Sequence, residues 1–316
     1  MTHRKTEGLI AAPFTPMRGD RTLNLDAVEG YARWLHRQGV VGAFICGTTG
    51  EGMSLTLDER RQLAERWVTI APTGLRVVVH VGHSSLADCQ ALAAHAQSIG
   101  ADGIACLSPF FFKPAGVERL VDWCEQVAAA APRLPFYYYH MPSMTGVSVK
   151  VHEFLRLASQ RLPNLAGIKF TFEDLDDYQR CLELEDGRFD VLFGRDELLL
   201  SALKLGARGA VGSTYNYAAP VYHALIAAHQ QGDSTKAAAL QALAVRMINA
   251  FLGCGAHPIA AFKWFMGHVA VECGPVRLPL VNPTPEQSAA LETRLDASGV
   301  FEWVQRRSTA SAAVGA

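Results

Sequence analysis

The sequence predicts an α/β protein whose core is a (β/α)8 barrel, a TIM barrel, with a helical extension at its C-terminal side. Eight short and almost continuously apolar runs alternate with amphipathic stretches of helical length. Apolar runs of this kind are typical of parallel strands that are buried on both faces. The 316 residues suffice for one large barrel. An open doubly wound sheet is the alternative, but it needs two halves that meet at a switch point, and none is visible.

The strand-like runs are short and are bounded by turn-forming residues. They cover residues 8–13, 42–46, 76–81, 103–107, 135–139, 165–170, 190–193 and 209–211. The helical patterns that follow them cover residues 25–38, 56–70, 86–99, 117–130, 151–159, 175–185, 197–205 and 220–230. A capping box at 56–59 predicts one helix start. Two Gly-Ala-x-Gly turns, at 100–103 and 206–209, predict that a helix ends and a strand begins there.

The chain is expected to divide into three parts. Residues 1–232 form the catalytic barrel, residues 233–307 form a helical extension packed on it, and residues 308–316 form a loose tail. The extension shows long helical patterns that are interrupted by prolines between 275 and 285. The tail consists mainly of small residues, which favours disorder over packing.

Composition excludes several classes of protein. The hydrophobic fraction of 49% suits a large core, and a net charge of −1 without a basic block gives no support for a nucleic-acid partner. No apolar stretch is long enough to span a membrane, and the first residues lack a secretory segment. Seven dispersed cysteines without a C-x-x-C pair favour reduced thiols, a cytoplasmic location and no structural zinc. His80 and His83 lack a nearby carboxylate partner, which makes a metal site improbable.

Lys169 stands near the end of the apolar run 165–170. Burial disfavours the ammonium form, so it lowers the pKa of a lysine and makes a neutral amine available. A neutral amine can attack a carbonyl carbon and form a Schiff base. Taken alone, however, a strand-end lysine is better explained by a side chain that reaches water, and only its context among the other strand ends favours a Schiff-base role.

Polar side chains follow several other predicted strands, and in such a barrel these strand ends meet at one mouth. Thr48 and Thr49 lie in a glycine-rich loop after the second strand. This loop lacks the dinucleotide and phosphate fingerprints, so it is either a turn that needs glycine conformations or an anion site that holds a carboxylate. Tyr139 ends the fifth strand with its hydroxyl nearest the mouth, while Tyr138 is predicted to face away.

The strands on the other side of the predicted mouth end in carboxylates and hydroxyls. Asp196 and Glu197 follow the seventh strand, Ser213 follows the eighth, and Thr171 follows the sixth. The two acids could simply favour the start of a helix. Their position among the other polar strand ends indicates a binding role.

Four ordered motifs, at residues 47–52, 136–142, 167–170 and 209–216, together resemble the dihydrodipicolinate synthase/N-acetylneuraminate lyase family. The resemblance covers residues 8 to about 280 and is strongest to the animal-type lyases. It implies a (β/α)8 barrel with a helical extension, assembled as a homotetramer. It also implies a sugar-acid substrate and pyruvate as a product, with no metal or organic cofactor.

The resemblance also assigns roles by position. Lys169 would form the imine with the keto carbon, Tyr139 would assist proton transfer, and Thr48 and Thr49 would hold the substrate carboxylate. The hydroxyl-rich tail would be bound by Thr171, Gly194, Asp196, Glu197 and Ser213. The implied reaction is cleavage of N-acetylneuraminate to N-acetylmannosamine and pyruvate.

Three departures from family patterns bear on specificity. Met144 stands where the synthases carry an arginine for a second carboxylate, which disfavours synthase activity. Phenylalanines at 110–112 replace a tyrosine that crosses between subunits in the synthases. Arg195 occupies a variable position between Gly194 and Asp196, where it either binds an anionic group or pairs with Glu197.

Two alternatives to the lyase remain open at this stage. The first is an aldolase, dehydratase or synthase of the same family that acts on another 2-oxo sugar acid. The second is a catalytically silent barrel that binds a sugar acid as a regulator.

Overall fold

Eight parallel strands form a closed barrel in a computed structural model that describes residues 5–304. Each strand pairs with the next, and the eighth pairs with the first. The strands are β1 Gly8–Ala11, β2 Gly42–Ile45, β3 Arg76–His80, β4 Gly103–Leu107, β5 Phe136–His140, β6 Leu165–Phe170, β7 Asp190–Phe193 and β8 Gly209–Gly212. The predicted (β/α)8 barrel is therefore confirmed. The predicted tail at 308–316 lies outside the described residues.

Helices follow the strands around the barrel and continue into a helical C-terminal part. They are α1 Ala27–Arg37, α2 Leu57–Ile70, α3 Leu86–Ser98, α4 Val117–Ala129, α5 Pro142–Thr145, α6 Val151–Ala158, α7 Leu175–Gly187, α8 Leu199–Lys204, α9 Ala219–Gln230, α10 Ser234–Leu252, α11 Pro258–Val269 and α12 Pro285–Ser298. The one-turn helix α5 was not predicted, because a four-residue segment shows no periodicity. Residues 196–198 form a 3-10 turn, so the helix predicted to begin at 197 begins at Leu199. In the described part of the chain, no helix has the length and apolar character that a membrane crossing requires.

The predicted end signals of the helices are present. Thr56 accepts a hydrogen bond from the backbone of Glu59, and the Glu59 side chain accepts one from the backbone of Thr56, which forms the capping box of α2. Gly100 and Gly206 adopt φ values of 80° and 101°, in the left-handed region that favours glycine. These two glycines stop α3 and α8 directly before β4 and β8.

The apolar side chains form two layers, one inside the barrel and one between the strands and the helices. Tyr137 and Tyr139 belong to the inner layer with Phe44, whereas Tyr138 belongs to the outer layer with Phe154. The predicted alternation of the tyrosines along β5 is thus confirmed.

A bulge in β6 interrupts this alternation. Phe136 of β5 pairs with Leu165, but the next residue, Tyr137, pairs with Gly167, so Ala166 is the extra residue. Ala166 packs in the inner layer, whereas Ile168, two residues later, packs in the outer layer. Without the bulge these two residues would share a face, and Lys169 would point away from the barrel interior.

Glycine is required at the bulge because two strands approach each other closely there. A Cβ on Gly167 would lie 1.9 Å from the carbonyl oxygen of Asp190 on β7. A backbone oxygen cannot move aside as a flexible side chain can. Gly167 therefore permits the bulge that turns Lys169 inward.

A buried ion pair joins the loop after β2 to the helical extension. Lys263 on α11 lies 2.7 Å from Glu51, and their side chains are 1% and 0% exposed. Lys263 also donates to the carbonyl of Pro275, and Glu51 accepts from the backbone N–H of Arg277. Both charged groups therefore make hydrogen bonds in addition to their ion pair, as the burial of two charges requires. The predicted boundary at residue 232 falls between α9 and α10 and stays a prediction.

Replacing Lys263 by methionine should destabilise the protein by about 3–5 kcal/mol, because Glu51 would be left charged and unpaired in the interior. The free energy of unfolding from urea titration measures this loss. The double variant Glu51→Gln/Lys263→Met should recover part of it. Arg18→Met is the matched control, because the Arg18–Asp26 pair is exposed and should contribute less than about 1 kcal/mol. Equal losses in the two single variants would contradict the structural role of the buried pair.

Candidate active site

A cavity of about 540 Å³ opens at the carboxyl ends of the strands. It is lined by all nine of the residues that the sequence predicts for the site: Thr48, Thr49, Tyr139, Lys169, Thr171, Gly194, Asp196, Glu197 and Ser213. The helical extension closes one side with residues that sequence reasoning missed, namely Ile248, Leu252, His257 and Phe262. The helical pattern of the extension does not show which of its faces meets the barrel, so no sequence signal marks these four.

Lys169 lies at the inner end of this cavity and is 4% exposed. Its Nζ atom is 4.0 Å from the ring centroid of Phe44 and 4.1 Å from that of Tyr139. Burial lowers the pKa of Lys169 to about 7, although the Asp196 carboxylate opposes this shift. The expectation that Lys169 is buried rather than extended into water is therefore correct. Near neutral pH a large fraction of this lysine is an unprotonated amine.

Tyr139 faces the same space from β5. Its hydroxyl donates to the sulfur of Met141 at 2.9 Å and lies 3.4 Å from Oγ1 of Thr48. Burial raises the pKa of Tyr139 to about 12, so the phenol stays protonated over the physiological range. Tyr139 can therefore offer a proton or a hydrogen bond to an oxygen beside the amine.

His80 lies behind the Tyr139 ring and is part of the support of the site. Its Nδ1 atom is 3.0 Å from the carbonyl oxygen of Cys46, and its ring centroid is 5.8 Å from that of Tyr139. Burial and then the Arg60 guanidinium lower the pKa of His80 well below its usual value, which keeps the imidazole neutral. Arg60 itself is buried and donates to the carbonyls of His80 and Gly82. Among residues 5–304, no cluster of His, Cys, Asp and Glu side chains has an arrangement that could hold a metal ion.

The glycine-rich loop does not use its glycines for unusual conformations, which corrects one reading of the sequence. The left-handed residues are Cys46 and Glu51, with φ values of 58° and 54°. The glycines instead allow close contacts, because a Cβ on Gly52 would lie 1.9 Å from the carbonyl oxygen of Cys46. The loop is thus folded tightly on itself, and the Glu51–Lys263 pair holds its far end. Thr48 and Thr49 are left facing the cavity.

Asp196 is more deeply embedded than its predicted role in tail binding requires. Its Oδ2 atom accepts hydrogen bonds from the backbone N–H and the hydroxyl of Thr214, at 3.0 and 2.6 Å. Its Oδ1 atom is buried and has no hydrogen-bond partner among the described residues. Burial raises the pKa of Asp196 to about 6. One oxygen therefore fixes the loop after β8, and the other lies buried against Gly212.

Gly212 makes this carboxylate position possible, and sequence reasoning gave it no role. A Cβ on Gly212 would lie 1.9 Å from Oδ1 of Asp196. Gly194 is constrained in the same way, since a Cβ there would lie 2.1 Å from Oγ1 of Thr171. The predicted site residue Gly194 thus contributes space for Thr171 rather than a side chain.

Arg195 forms an ion pair at the outer part of the cavity. Its Nη2 atom lies 2.8 Å from Glu197, and its Nη1 atom lies 3.7 Å from Glu173. Of the two alternatives that the sequence left open, the structure shows the pairing with Glu197. Arg195 and Glu197 are both partly exposed, with 29% and 31% of their side-chain surface accessible.

A buried amine with a pKa near 7 lies at the end of a barrel strand, beside a phenol and two threonines. An amine in these surroundings can form an imine with a carbonyl compound, and the carboxyl ends of the strands are where barrel enzymes carry their active sites. The chain belongs to the dihydrodipicolinate synthetase family, whose model matches residues 5–298. It is 45% identical to N-acetylneuraminate lyase of Mus musculus, over 92% of each chain. The Homo sapiens enzyme of that name is 43% identical, again over 92% of each.

Solved structures agree with this family membership. N-acetylneuraminate lyase of Proteus mirabilis superposes with a TM-score of 0.89 at 40% identity, covering 94% of this chain and all of that one. N-acetylneuraminate lyase of Aliivibrio salmonicida gives the same TM-score and identity, covering 94% of this chain and 98% of that one.

Replacing Gly212 by alanine should displace the Asp196 carboxylate and cost about 1–3 kcal/mol of stability, because the added methyl group overlaps a buried oxygen. Urea titration gives the change in unfolding free energy, and a crystal structure shows the Asp196 position. Gly30→Ala on the exposed side of α1 is the control, since a Cβ there meets nothing within 4 Å. That variant should be neutral or slightly stabilised. An unmoved Asp196 in the Gly212→Ala protein would contradict the packing.

The rate at which Lys169 forms an imine with pyruvate should rise as the pH increases through about 7 and level off above it. Below this pH the amine is protonated and has no free electron pair with which to attack. Borohydride trapping at saturating pyruvate, followed by peptide mass spectrometry, measures the rate. Lys150 is exposed and paired with Asp174, which raises its pKa, so it serves as an unreactive internal control. A midpoint near the ordinary lysine value would contradict the desolvation of Lys169.

Proposed function

We propose that the protein is a class I aldolase-type lyase, a carbon–carbon lyase that cleaves N-acetylneuraminate to N-acetylmannosamine and pyruvate. The observation that carries this proposal is the buried Lys169 amine, with its pKa near 7, in a cavity that all the expected binding groups line. The high identity to N-acetylneuraminate lyases over nearly the whole chain supports the same substrate.

In this proposal, Lys169 attacks the keto carbon of the open-chain sugar acid, and water leaves as the imine forms. The protonated imine accepts the electron pair of the C3–C4 bond as that bond breaks, while the C4 hydroxyl loses its proton. Tyr139 assists this proton transfer together with the substrate carboxylate. Thr48 and Thr49 hold the carboxylate. Protonation of the enamine at C3 and hydrolysis of the imine release pyruvate and restore the amine.

These steps use side chains of this chain, the substrate carboxylate and water, and the covalent imine on Lys169 acts as the electron sink. The proposed reaction therefore needs no metal or organic cofactor. The Phe44 and Tyr139 rings around the amine supply the low-dielectric surroundings that lower its pKa.

The other end of the cavity is proposed to bind the tail of the sugar acid. Asp196 and Glu197 accept hydrogen bonds from hydroxyl groups, and Thr171 and Ser213 can donate or accept. Thr171 lines the cavity close to Tyr139, where burial raises the pKa of Tyr139 and a side-chain hydrogen bond with Thr171 lowers it by a smaller amount. Met144 on α5 is 58% exposed and offers no charge for a second carboxylate, which disfavours the synthase reaction.

The protein is further proposed to assemble as a homotetramer in the cytoplasm. Phe111 and Phe112, in the loop after β4, are 75% and 85% exposed and pack against each other, and such an apolar pair suits a subunit contact. All seven cysteines are free thiols, which suits a reducing compartment. Sedimentation of the purified protein tests the tetramer.

Incubation with pyruvate and borohydride should add one reduced pyruvate adduct to Lys169, and the Lys169→Ala variant should show no adduct and no turnover while staying folded. Pyruvate release should then be compared between N-acetylneuraminate and 2-keto-3-deoxy sugar acids. Faster release from N-acetylneuraminate is expected. Faster release from another sugar acid would favour the alternative aldolase of the family. Saturable binding without pyruvate formation would indicate the silent, regulatory barrel.

A further inference from the structure

Arg195 gives the outer part of the cavity a cation that is paired with two carboxylates. Its two terminal nitrogens face Glu197 and Glu173. The third edge, at Nε, is buried and has no hydrogen-bond partner in the part of the chain that the structure describes. A buried nitrogen has no surface exposed to the cavity, so Arg195 acts on a ligand through the carboxylates that its terminal nitrogens contact.

The Glu197 carboxylate is held by its ion pair with Nη2 of Arg195, at 2.8 Å. A carboxylate on a partly exposed side chain would otherwise sample several rotamers. The side chain would then lose conformational entropy when a ligand fixed one of these rotamers. A guanidinium presents its donors in a rigid planar fork, so it fixes the direction of a carboxylate better than an ammonium group does. Arg195 thus sets where Glu197 can accept a hydrogen bond in the cavity.

The charges around Arg195 disfavour an anionic ligand. Glu197 and Glu173 together outweigh the single positive charge of Arg195, and the Asp196 carboxylate lies next in the chain. What the group offers a ligand is the acceptor oxygens of Glu197, with no excess positive charge. This arrangement matches an uncharged tail that carries hydroxyl groups.

We propose that Arg195 is a specificity-determining residue, which orients Glu197 toward the hydroxyl groups on the tail of the substrate. The favoured substrates are then 2-oxo sugar acids with a long, neutral, hydroxyl-bearing tail, and those with a phosphorylated tail are disfavoured. This inference rests on the proposed function, because it concerns the tail of the substrate that Lys169 attacks.

The test compares a reaction that uses the tail with one that does not. The first is cleavage of N-acetylneuraminate, measured as kcat/KM. The second is borohydride trapping of pyruvate, which has no tail, measured as the pyruvate concentration for half-maximal adduct on Lys169. Both are measured in the wild-type protein and in the Arg195→Leu, Arg195→Lys and Glu173→Gln variants.

In Arg195→Leu, kcat/KM for N-acetylneuraminate should fall roughly tenfold or more, because the tail would lose its hydrogen bond to an oriented, charged Glu197. Half-maximal trapping of pyruvate should change less than about twofold. The kcat/KM of Arg195→Lys should lie between those of the wild type and Arg195→Leu, because lysine keeps the charge and loses the planar fork. Glu173→Gln should resemble the wild type, since Glu173 is 58% exposed and its contact is long.

Equal losses in both reactions would overturn the inference, because Arg195 would then act on the whole site rather than on the tail. No loss in either reaction would also overturn it. Faster cleavage by the wild-type protein of the 9-phosphate of N-acetylneuraminate than of the unphosphorylated sugar would show an anion site instead. Failure of the wild-type protein to trap pyruvate would overturn the proposed function and this inference with it. If the wild-type protein traps pyruvate, but Arg195→Leu cleaves N-acetylneuraminate as well as the wild type does, only this inference is overturned.

Discussion

The bulge in β6 determines which face of the sheet carries Lys169, and the proposed chemistry depends on that placement. One extra residue, Ala166, shifts the strand by a single position, and Lys169 then points among Phe44 and Tyr139 instead of toward the helices. The shift requires a glycine at 167, where β6 and β7 nearly touch. Enclosure by aromatic rings in turn lowers the pKa of the amine to about 7. Backbone geometry and the availability of a nucleophile are thus linked within four residues.

The opposite wall of the site depends on a different constraint, a pair of buried charges. Glu51 and Lys263 join the loop that carries Thr48 and Thr49 to the helical extension. The same extension supplies an apolar side of the cavity, including Phe262, next to Lys263 in sequence. The extension is therefore part of the site as well as a cover for the barrel. Its loss would remove a wall of the cavity and leave Glu51 without its partner.

The sequence was most informative where function depends on a residue type at a strand end. Polar groups after apolar runs are visible without a structure, and the nine predicted residues do line one cavity. The sequence was silent where a position depends on close packing between distant segments. Gly212 faces Asp196, and Gly167 faces Asp190, through contacts that no local pattern shows. The Glu51–Lys263 pair spans 212 positions, so only the folded chain brings the two charges together.

A crystal structure of the protein soaked in pyruvate would test the role of Lys169 most directly. The expected result is continuous electron density from Nζ of Lys169 to C2 of pyruvate, with the pyruvate carboxylate on Thr48 and Thr49 and the methyl carbon directed toward Asp196. Pyruvate bound without a covalent bond, or attached to another lysine, would contradict the proposed chemistry. A carboxylate bound at the Asp196 end would contradict the proposed direction of the substrate in the cavity.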